Sequence, residues 1–147
     1  MNLHEAEELA RQKMNEHGLY AWSFEFDRSV NRRGLCNYSA KKISLSKSLT
    51  QIRTEEAVLN TILHEIAHAI VGPFNGHGKV WFNKAVSIGC NGERCSSDVH
   101  EAIQPAFVGT CPGCSRTIER HRRKNISCGK CLPGAYSVKF RFKWVRR

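Results

Sequence analysis

The most apolar stretch of the chain follows Thr54, where hydrophobic residues recur three and four positions apart as far as Val71. This spacing is typical of an α-helix. Thr54 can cap the helix N-terminus, Glu55 and Glu56 favour its positive first turn, and a Gly-Pro pair at positions 72–73 ends it. Because most of its circumference is apolar, we expect this helix to lie at the centre of its domain.

Weaker patterns predict the elements around this helix. Helical spacing over residues 3–14 predicts an amphipathic helix, and alternation over residues 20–26 predicts a strand with one aromatic face. Two short apolar runs, at 35–38 and 43–45, predict further strands that would form an antiparallel meander with the first. Residues 79–89 again have helical spacing and are predicted to form a helix with one buried stripe.

The end of the chain alternates with a period of two, which predicts a strand with two different faces. The apolar face carries Tyr136, Val138, Phe140, Phe142 and Trp144. The basic face carries Lys139, Arg141 and Lys143. We expect the apolar face to pack and the basic face to be available to phosphates.

Two histidines and a glutamate interrupt the apolar helix. His64 and His68 are four residues apart, so their rings project from one helix face and can bind one metal ion. Glu65 follows the first of them and can act as a general base on a metal-activated water. This H-E-x-x-H pattern is typical of zinc peptidases; the alternative is a buried helix whose histidines only form hydrogen bonds.

A catalytic zinc site needs a third protein ligand, and His77 is the next histidine along the chain. Glycines at positions 72, 76 and 78, together with Pro73, allow the chain to reverse after His68. We therefore predict a catalytic zinc ion held by His64, His68 and His77, with Glu65 as the catalytic base.

Composition indicates the class of protein and its compartment. A chain of 147 residues with 41% hydrophobic content can form one main domain and a small second module. Residues 1–5 resemble no signal peptide, and no apolar run is long enough to span a membrane. Seven cysteines in such a chain favour reduced thiols and metal binding over disulfides. We expect a cytoplasmic, nucleoid-associated protein without a membrane partner.

Four of the cysteines form two C-x-x-C pairs, Cys111 with Cys114 and Cys128 with Cys131. Four thiolates at this spacing predict a closed, structural zinc site of the ribbon type. A module this small has little core, so the metal would supply much of its folding free energy. A thioredoxin-like redox motif would need a single C-x-x-C at a strand–helix junction, which this pattern does not match.

The other cysteines lead to weaker predictions. Cys36 stands alone in a predicted strand and is expected to be a small core residue. Cys90, Cys95 and His100 fall in a predicted linker over residues 90–104. A partial metal site there is the less favoured interpretation, because their spacing matches no ribbon or finger; free thiols and a solvated histidine are favoured.

The chain has a formal net charge of +10, and this positive charge is concentrated at its C-terminal end. Residues 1–104 hold equal numbers of basic and acidic residues, whereas residues 105–147 hold 11 basic residues and only Glu119. This asymmetry predicts a boundary near residue 104 and a nucleic-acid partner, with a solvated basic face as the alternative. The candidate contacts are Arg116, Arg120, Arg122, Arg123, Lys124, Lys139, Arg141 and Lys143.

Together these motifs resemble the SprT-like (Spartan-related) zinc metalloprotease family, from about residue 20 to the C-terminus. The resemblance rests on Trp22 and Phe24, Gly34-Leu35-Cys36, Ile43-Ser44-Leu45, His64-Glu65-x-x-His68, His77-Gly78-x-x-Trp81 and the four-cysteine ribbon. It implies an α+β fold: a zincin-like core over residues 1–104, with a linker from about residue 90, and a basic zinc ribbon over 105–147. It also implies two zinc ions, one catalytic and one structural.

The resemblance further implies an endopeptidase that cleaves proteins bound or crosslinked to DNA. The expected nucleic acid is single-stranded or junction-containing DNA, bound without sequence specificity. Because the chain stops soon after the ribbon, we expect a bacterial or phage origin. We also expect a monomer.

Two other functions stay open: a nucleic-acid-binding module or regulator with a non-proteolytic zincin scaffold, and a processing peptidase that ignores DNA. Glu65 argues against a pure scaffold, which needs metal ligands but no base.

Overall fold

The computed structural model describes residues 1–94 and 103–147, so the linker residues Cys95 and His100 lie outside the described part. The chain forms two compact units, Met1–Ala102 and Ile103–Arg147. Each unit has its own apolar cluster. No helix among the described residues is both long enough and apolar enough to cross a membrane.

The first unit combines helices with a small sheet. Its elements are α1 (Leu3–Glu16), β1 (Ser23–Asp27), β2 (Gly34–Asn37), β3 (Lys42–Ser46), α2 (Lys47–Ile52), α3 (Glu55–Val71) and α4 (Lys79–Ser87). All were predicted except α2, whose six residues are too few and too polar to show a helical period. Ser46 caps α2 by accepting a hydrogen bond from the N–H of Leu49 at 3.1 Å.

The central helix has the predicted ends. The Thr54 side chain accepts a hydrogen bond from the Ala57 N–H at 3.2 Å and so caps α3. Gly72 ends the helix with a φ of 87°, a left-handed conformation that favours glycine. Eight of its 17 residues are buried and the helix lies in the core, as predicted, although Ile70 is partly exposed.

The sheet is not the predicted antiparallel meander. β2 pairs with β3 antiparallel, but β1 pairs with β3 parallel on its other side, which gives the order β1-β3-β2. The chain changes sides because residues 28–33 pass over the end of β3. There Ser46 donates its hydroxyl to the carbonyl of Ser29 and its N–H to the carbonyl of Arg33. As a result, β2 is an edge strand of the sheet.

The core of this unit lies between α1, the sheet and α3, and it also receives one face of α4. Its most completely buried large side chains are Ile43, Leu45, Val58, Ile62, Ile66 and Trp81. The sheet and α4 therefore pack on the helix that carries the H-E-x-x-H motif, and this packing places their side chains around it.

The second unit is a three-stranded antiparallel sheet joined to two cysteine turns. Its strands are β4 (Phe107–Thr110), β5 (Thr117–Arg120) and β6 (Lys143–Arg146), in the order β5-β4-β6. Cys111, Cys128 and Phe142 form the buried centre of its apolar cluster.

The long C-terminal strand predicted from Tyr136 to Trp144 is wrong in its first half. Residues Val138–Phe140 form a 3₁₀ turn, and only Lys143–Arg146 form a strand. In this turn the Phe140 N–H donates to the Ser137 carbonyl at 3.2 Å and the Arg141 N–H donates to the Val138 carbonyl at 3.3 Å. Phe140, Phe142 and Trp144 pack inward as predicted, but Tyr136 and Val138 are exposed.

Candidate active site

Helix α3 brings the first two candidate ligands together through its own geometry. His64 and His68 are one turn apart on the same helix face. Their Nε2 atoms lie 3.2 Å from each other. No tertiary contact is needed for this arrangement, which is why the sequence could predict it.

His77 joins them through the turn after α3. Asn75 donates its side-chain amide to the carbonyl of Val71 at 2.7 Å, and the Gly78 N–H donates to the Asn75 carbonyl at 3.0 Å. These bonds fold the turn back toward the helix end. The Nε2 atom of His77 then lies 3.0 Å from those of both His64 and His68.

The Trp81 ring packs against all three imidazoles. It is almost fully buried, and its ring centroid lies 4.6, 5.2 and 4.7 Å from those of His64, His68 and His77. Its indole N–H donates to the carbonyl of His64 at 3.4 Å. The sequence predicted a packing role for Trp81; the structure adds direct contact with every candidate ligand.

The spacing of the three nitrogens fits a tetrahedral zinc ion. With Zn–N bonds of about 2.0–2.1 Å, two ligand nitrogens are about 3.3–3.4 Å apart, close to the observed 3.0–3.2 Å. Three neutral imidazoles that face one another cannot all be satisfied by mutual hydrogen bonds, because each nitrogen is either a donor or an acceptor. A shared cation satisfies all three.

The rings are in the protonation state that binds metal. Burial, followed by the neighbouring imidazoles, lowers the pKa of His64 to about 4, and burial and His77 do the same for His68. Burial also lowers the pKa of His77. All three rings are therefore neutral at pH 7.

Glu65 lines the same cleft as the histidines and is 7% exposed. Burial raises the pKa of its carboxyl to about 7, and the nearby Arg32 guanidinium opposes the shift. Arg32 pairs with Asp27 at 3.3 Å, and Asp27 accepts a hydrogen bond from Ser44 at 2.8 Å. The sequence did not predict a role for Arg32, because only the fold brings the loop before β2 to the helix.

The cleft has a volume of about 530 Å³, and its walls come from α3, β2 and the segments around them. Beyond the three histidines and Glu65, its lining includes Arg32, Gly34, Cys36, Tyr38, Thr61 and Arg94. Gly34 and Cys36 belong to the stretch on which the family resemblance rests, but no sequence pattern assigned the others to the site. Thr61 is an exception, since it precedes Glu65 by four positions and had to share its helix face.

Cys36 is not the core residue that was predicted. It is half-buried and lines the cleft beside Tyr38. Burial first, and then the charge of Glu65, raise the pKa of its thiol to about 12, so the thiol stays protonated. The prediction failed because Cys36 lies in the edge strand β2, and the sequence does not define which face of that strand points toward the core. Cys90, in contrast, is buried in the core.

The four cysteines of the second unit form another group of converging ligand atoms. The sulfur atoms of Cys111 and Cys131 are 3.7 Å apart, as are those of Cys114 and Cys128. A tetrahedral zinc with Zn–S bonds of about 2.3 Å separates its sulfurs by about 3.8 Å, so this donor set also fits zinc. Hydrogen bonds, first of all from the backbone of Cys131, lower the pKa of Cys128 and favour its thiolate.

All eight basic residues predicted to contact nucleic acid are exposed, but only half of them meet in one place. A groove of about 420 Å³ is lined by Arg123, Lys124, Asn125, Arg141, Phe142, Lys143 and Trp144. Arg116, Arg120, Arg122 and Lys139 are not part of its lining. We call the four lining cations and Trp144 the basic groove.

Three converging imidazoles can hold a metal ion, and here they line one cleft with a buried carboxyl group. Residues 3–101, more than half of the chain, match the SprT-like family. The chain therefore belongs to the SprT-like family, and this membership indicates a metalloprotease-like function. The match ends before the cysteine group of the second unit. No curated protein matches the chain significantly.

Proposed function

We propose that this protein is a zinc-dependent endopeptidase with a zincin-like core, and that it cleaves proteins bound or crosslinked to DNA in the cytoplasm. The observation that carries the proposal is the convergence of His64, His68 and His77 in the cleft that also contains Glu65. In this proposal residues 1–104 are the protease core and residues 105–147 are a DNA-binding zinc ribbon.

The three imidazoles would hold the catalytic zinc ion. Bound there, zinc would supply a Lewis acid that polarises the scissile carbonyl and acidifies a water molecule. Glu65 takes up a proton at its carboxylate oxygen and donates it to the departing amine. Burial raises the pKa of this carboxyl, which favours proton uptake by Glu65.

The edge strand β2 can hold the substrate backbone. Its pairing with β3 alternates: the Ser46 N–H bonds to the carbonyl of Arg33, so the peptide groups of Gly34 and Cys36 face away from β3. Both residues line the cleft. An extended peptide that paired with them would lie along the cleft beside Glu65, in the manner of strand addition.

The basic groove supports a DNA partner for the second unit. Four cations surround the partly buried Trp144, and the indole N–H of Trp144 is already bonded to the Lys124 carbonyl at 2.8 Å. Cations can follow phosphates and an aromatic ring can stack on an unpaired base, neither of which reads sequence. This combination favours single-stranded or junction-containing DNA.

The test is cleavage of a DNA-bound protein substrate by the zinc-loaded protein, with and without single-stranded DNA. Glu65→Gln is the matched control, because it keeps the size of the side chain and removes the base. We expect DNA-stimulated cleavage by the wild type, reduced about 10²–10⁴-fold in the variant. Binding of DNA without any cleavage would instead favour a nucleic-acid-binding regulator, and cleavage that ignores DNA would favour a processing peptidase.

A further inference from the structure

The backbone of β2 comes unusually close to the side chain of Glu65. A Cβ atom placed on Gly34 would lie 2.9 Å from Glu65 Oε1 and 3.0 Å from Glu65 Cγ. It would also lie 3.0 Å from the Thr61 methyl group. Contacts this short are repulsive, so no residue with a side chain fits at position 34 without moving its neighbours.

The backbone conformation does not explain this glycine. Gly34 is not among the glycines with positive φ, so an alanine could adopt the same backbone angles. The distinctive contribution of Gly34 is therefore the space that it leaves for the Glu65 carboxylate.

Thr61 forms the second wall around the carboxylate. It lies one helical turn before Glu65, and its hydroxyl donates to the Ala57 carbonyl at 3.2 Å. The same hydroxyl accepts a hydrogen bond at 2.8 Å from the buried Arg53 guanidinium. Two bonds on the hydroxyl fix the side-chain rotamer, and this directs the methyl group toward Gly34 and Glu65.

We propose that Gly34 and Thr61 are positioning residues, which confine the Glu65 carboxylate between β2 and the preceding turn of α3. The proposal rests on the proposed role of Glu65 as the base. A base works only within hydrogen-bond reach of the proton that it takes. The two walls limit where the carboxylate can lie by steric contact alone. A hydrogen bond could also hold the carboxylate in place, but such a bond would make it a weaker base.

Gly34→Ala tests the effect on catalysis. The new methyl group should displace the Glu65 carboxylate, and misplacement by about 1 Å can lower the rate about 10²-fold. We expect kcat to fall by that order, a much larger change than any in KM, while the zinc content stays unchanged. An unchanged kcat would overturn the proposal while leaving Glu65→Gln, and with it the proposed function, unaffected.

A stability cycle tests the contact without any activity. Gly34→Ala is introduced into the wild type, Glu65→Gln and Glu65→Ala, and the melting temperature is measured for zinc-free and zinc-loaded protein. Gln keeps the crowding atoms and Ala removes them. We expect Gly34→Ala to lower the melting temperature in the first two backgrounds and much less in the third. An equal loss in all three would show that the new methyl group is opposed by Thr61 or by the sheet and not by Glu65, and would overturn the proposal.

Discussion

Trp81 illustrates how one buried side chain can organise a reactive site. Its ring contacts three imidazoles that come from a helix and from the following turn. The imidazoles are neutral and close together, so without support each ring could rotate to hydrogen-bond elsewhere. A rigid indole beneath them restricts that freedom before metal binds, and this lowers the conformational entropy lost on binding.

Replacing Trp81 should therefore affect both stability and metal binding. Trp81→Ala is expected to lower the free energy of unfolding by about 3–5 kcal/mol, because it empties a large buried volume. It should also weaken zinc binding. Denaturant unfolding and zinc titration measure the two effects.

The control for that prediction is Trp81→Phe, which keeps an aromatic ring but loses the bond to the His64 carbonyl. Trp81→Phe should lower the free energy of unfolding by about 1 kcal/mol, the usual contribution of one hydrogen bond, with a further small loss from the change in packing. Full zinc affinity in Trp81→Ala would contradict the supporting role.

At the scale of elements, α3 connects folding to chemistry. It forms the centre of the core and carries His64, Glu65 and His68. Its length and its ends are determined locally, by Thr54 at the start and by the Gly-Pro pair after Val71. Because the ligands project from the helix itself, changes at its N-terminus should alter stability without altering the geometry of the site.

Thr54→Ala tests this separation. Loss of the cap leaves the Ala57 N–H without its acceptor and should lower the free energy of unfolding by about 1 kcal/mol. We expect kcat of the zinc-loaded protein to be unchanged at temperatures where it stays folded. Thr54→Ser, which keeps the hydroxyl, should recover most of the stability; if it does not, the loss has another cause than the cap.

At the scale of the molecule, we expect the stability of the two units to depend on metal in different ways. The first unit has an extensive core, whereas Cys111, Cys128 and Phe142 are the buried centre of the second. A small core supplies little hydrophobic free energy, so we expect a metal ion at the four-cysteine group to stabilise the second unit.

We therefore expect two zinc ions per chain with separable effects. Cys128→Ser with Cys131→Ser should remove one ion and unfold the second unit, while the first unit keeps its amide resonances. His64→Ala with His68→Ala should remove the other ion and leave both units folded. Metal analysis and NMR spectra of the two variants test this, and a second unit that stays folded without zinc would contradict it.

From the positive charge of the second unit we predict which of its residues contribute to DNA binding. Arg141→Ala with Lys143→Ala removes two cations of the basic groove, and should weaken binding of single-stranded DNA and reduce its dependence on salt. Lys139→Ala with Arg146→Ala removes the same charge outside the groove. Titrations at several salt concentrations compare the two pairs; equal losses would mean that charge alone, and not the groove, attracts DNA.

The sequence determined on its own what depends on residues close together along the chain. The limits of α3, the common face of His64 and His68, and the cysteine spacings all follow from local geometry, which the residue types dictate directly. The return of His77 was also predictable, because glycines and a proline allow the chain to reverse after His68 and His77 is the next histidine.

Only the tertiary structure decided which strand lies beside the site. The parallel pairing of β1, the edge position of β2 and the exposure of Cys36 to the cleft depend on how residues 28–33 cross the sheet. Strand order is a matter of contacts between distant segments, and many pairings suit the same alternation of polar and apolar residues. For the same reason the closeness of Gly34 to Glu65 is visible only once helix and strand have packed together.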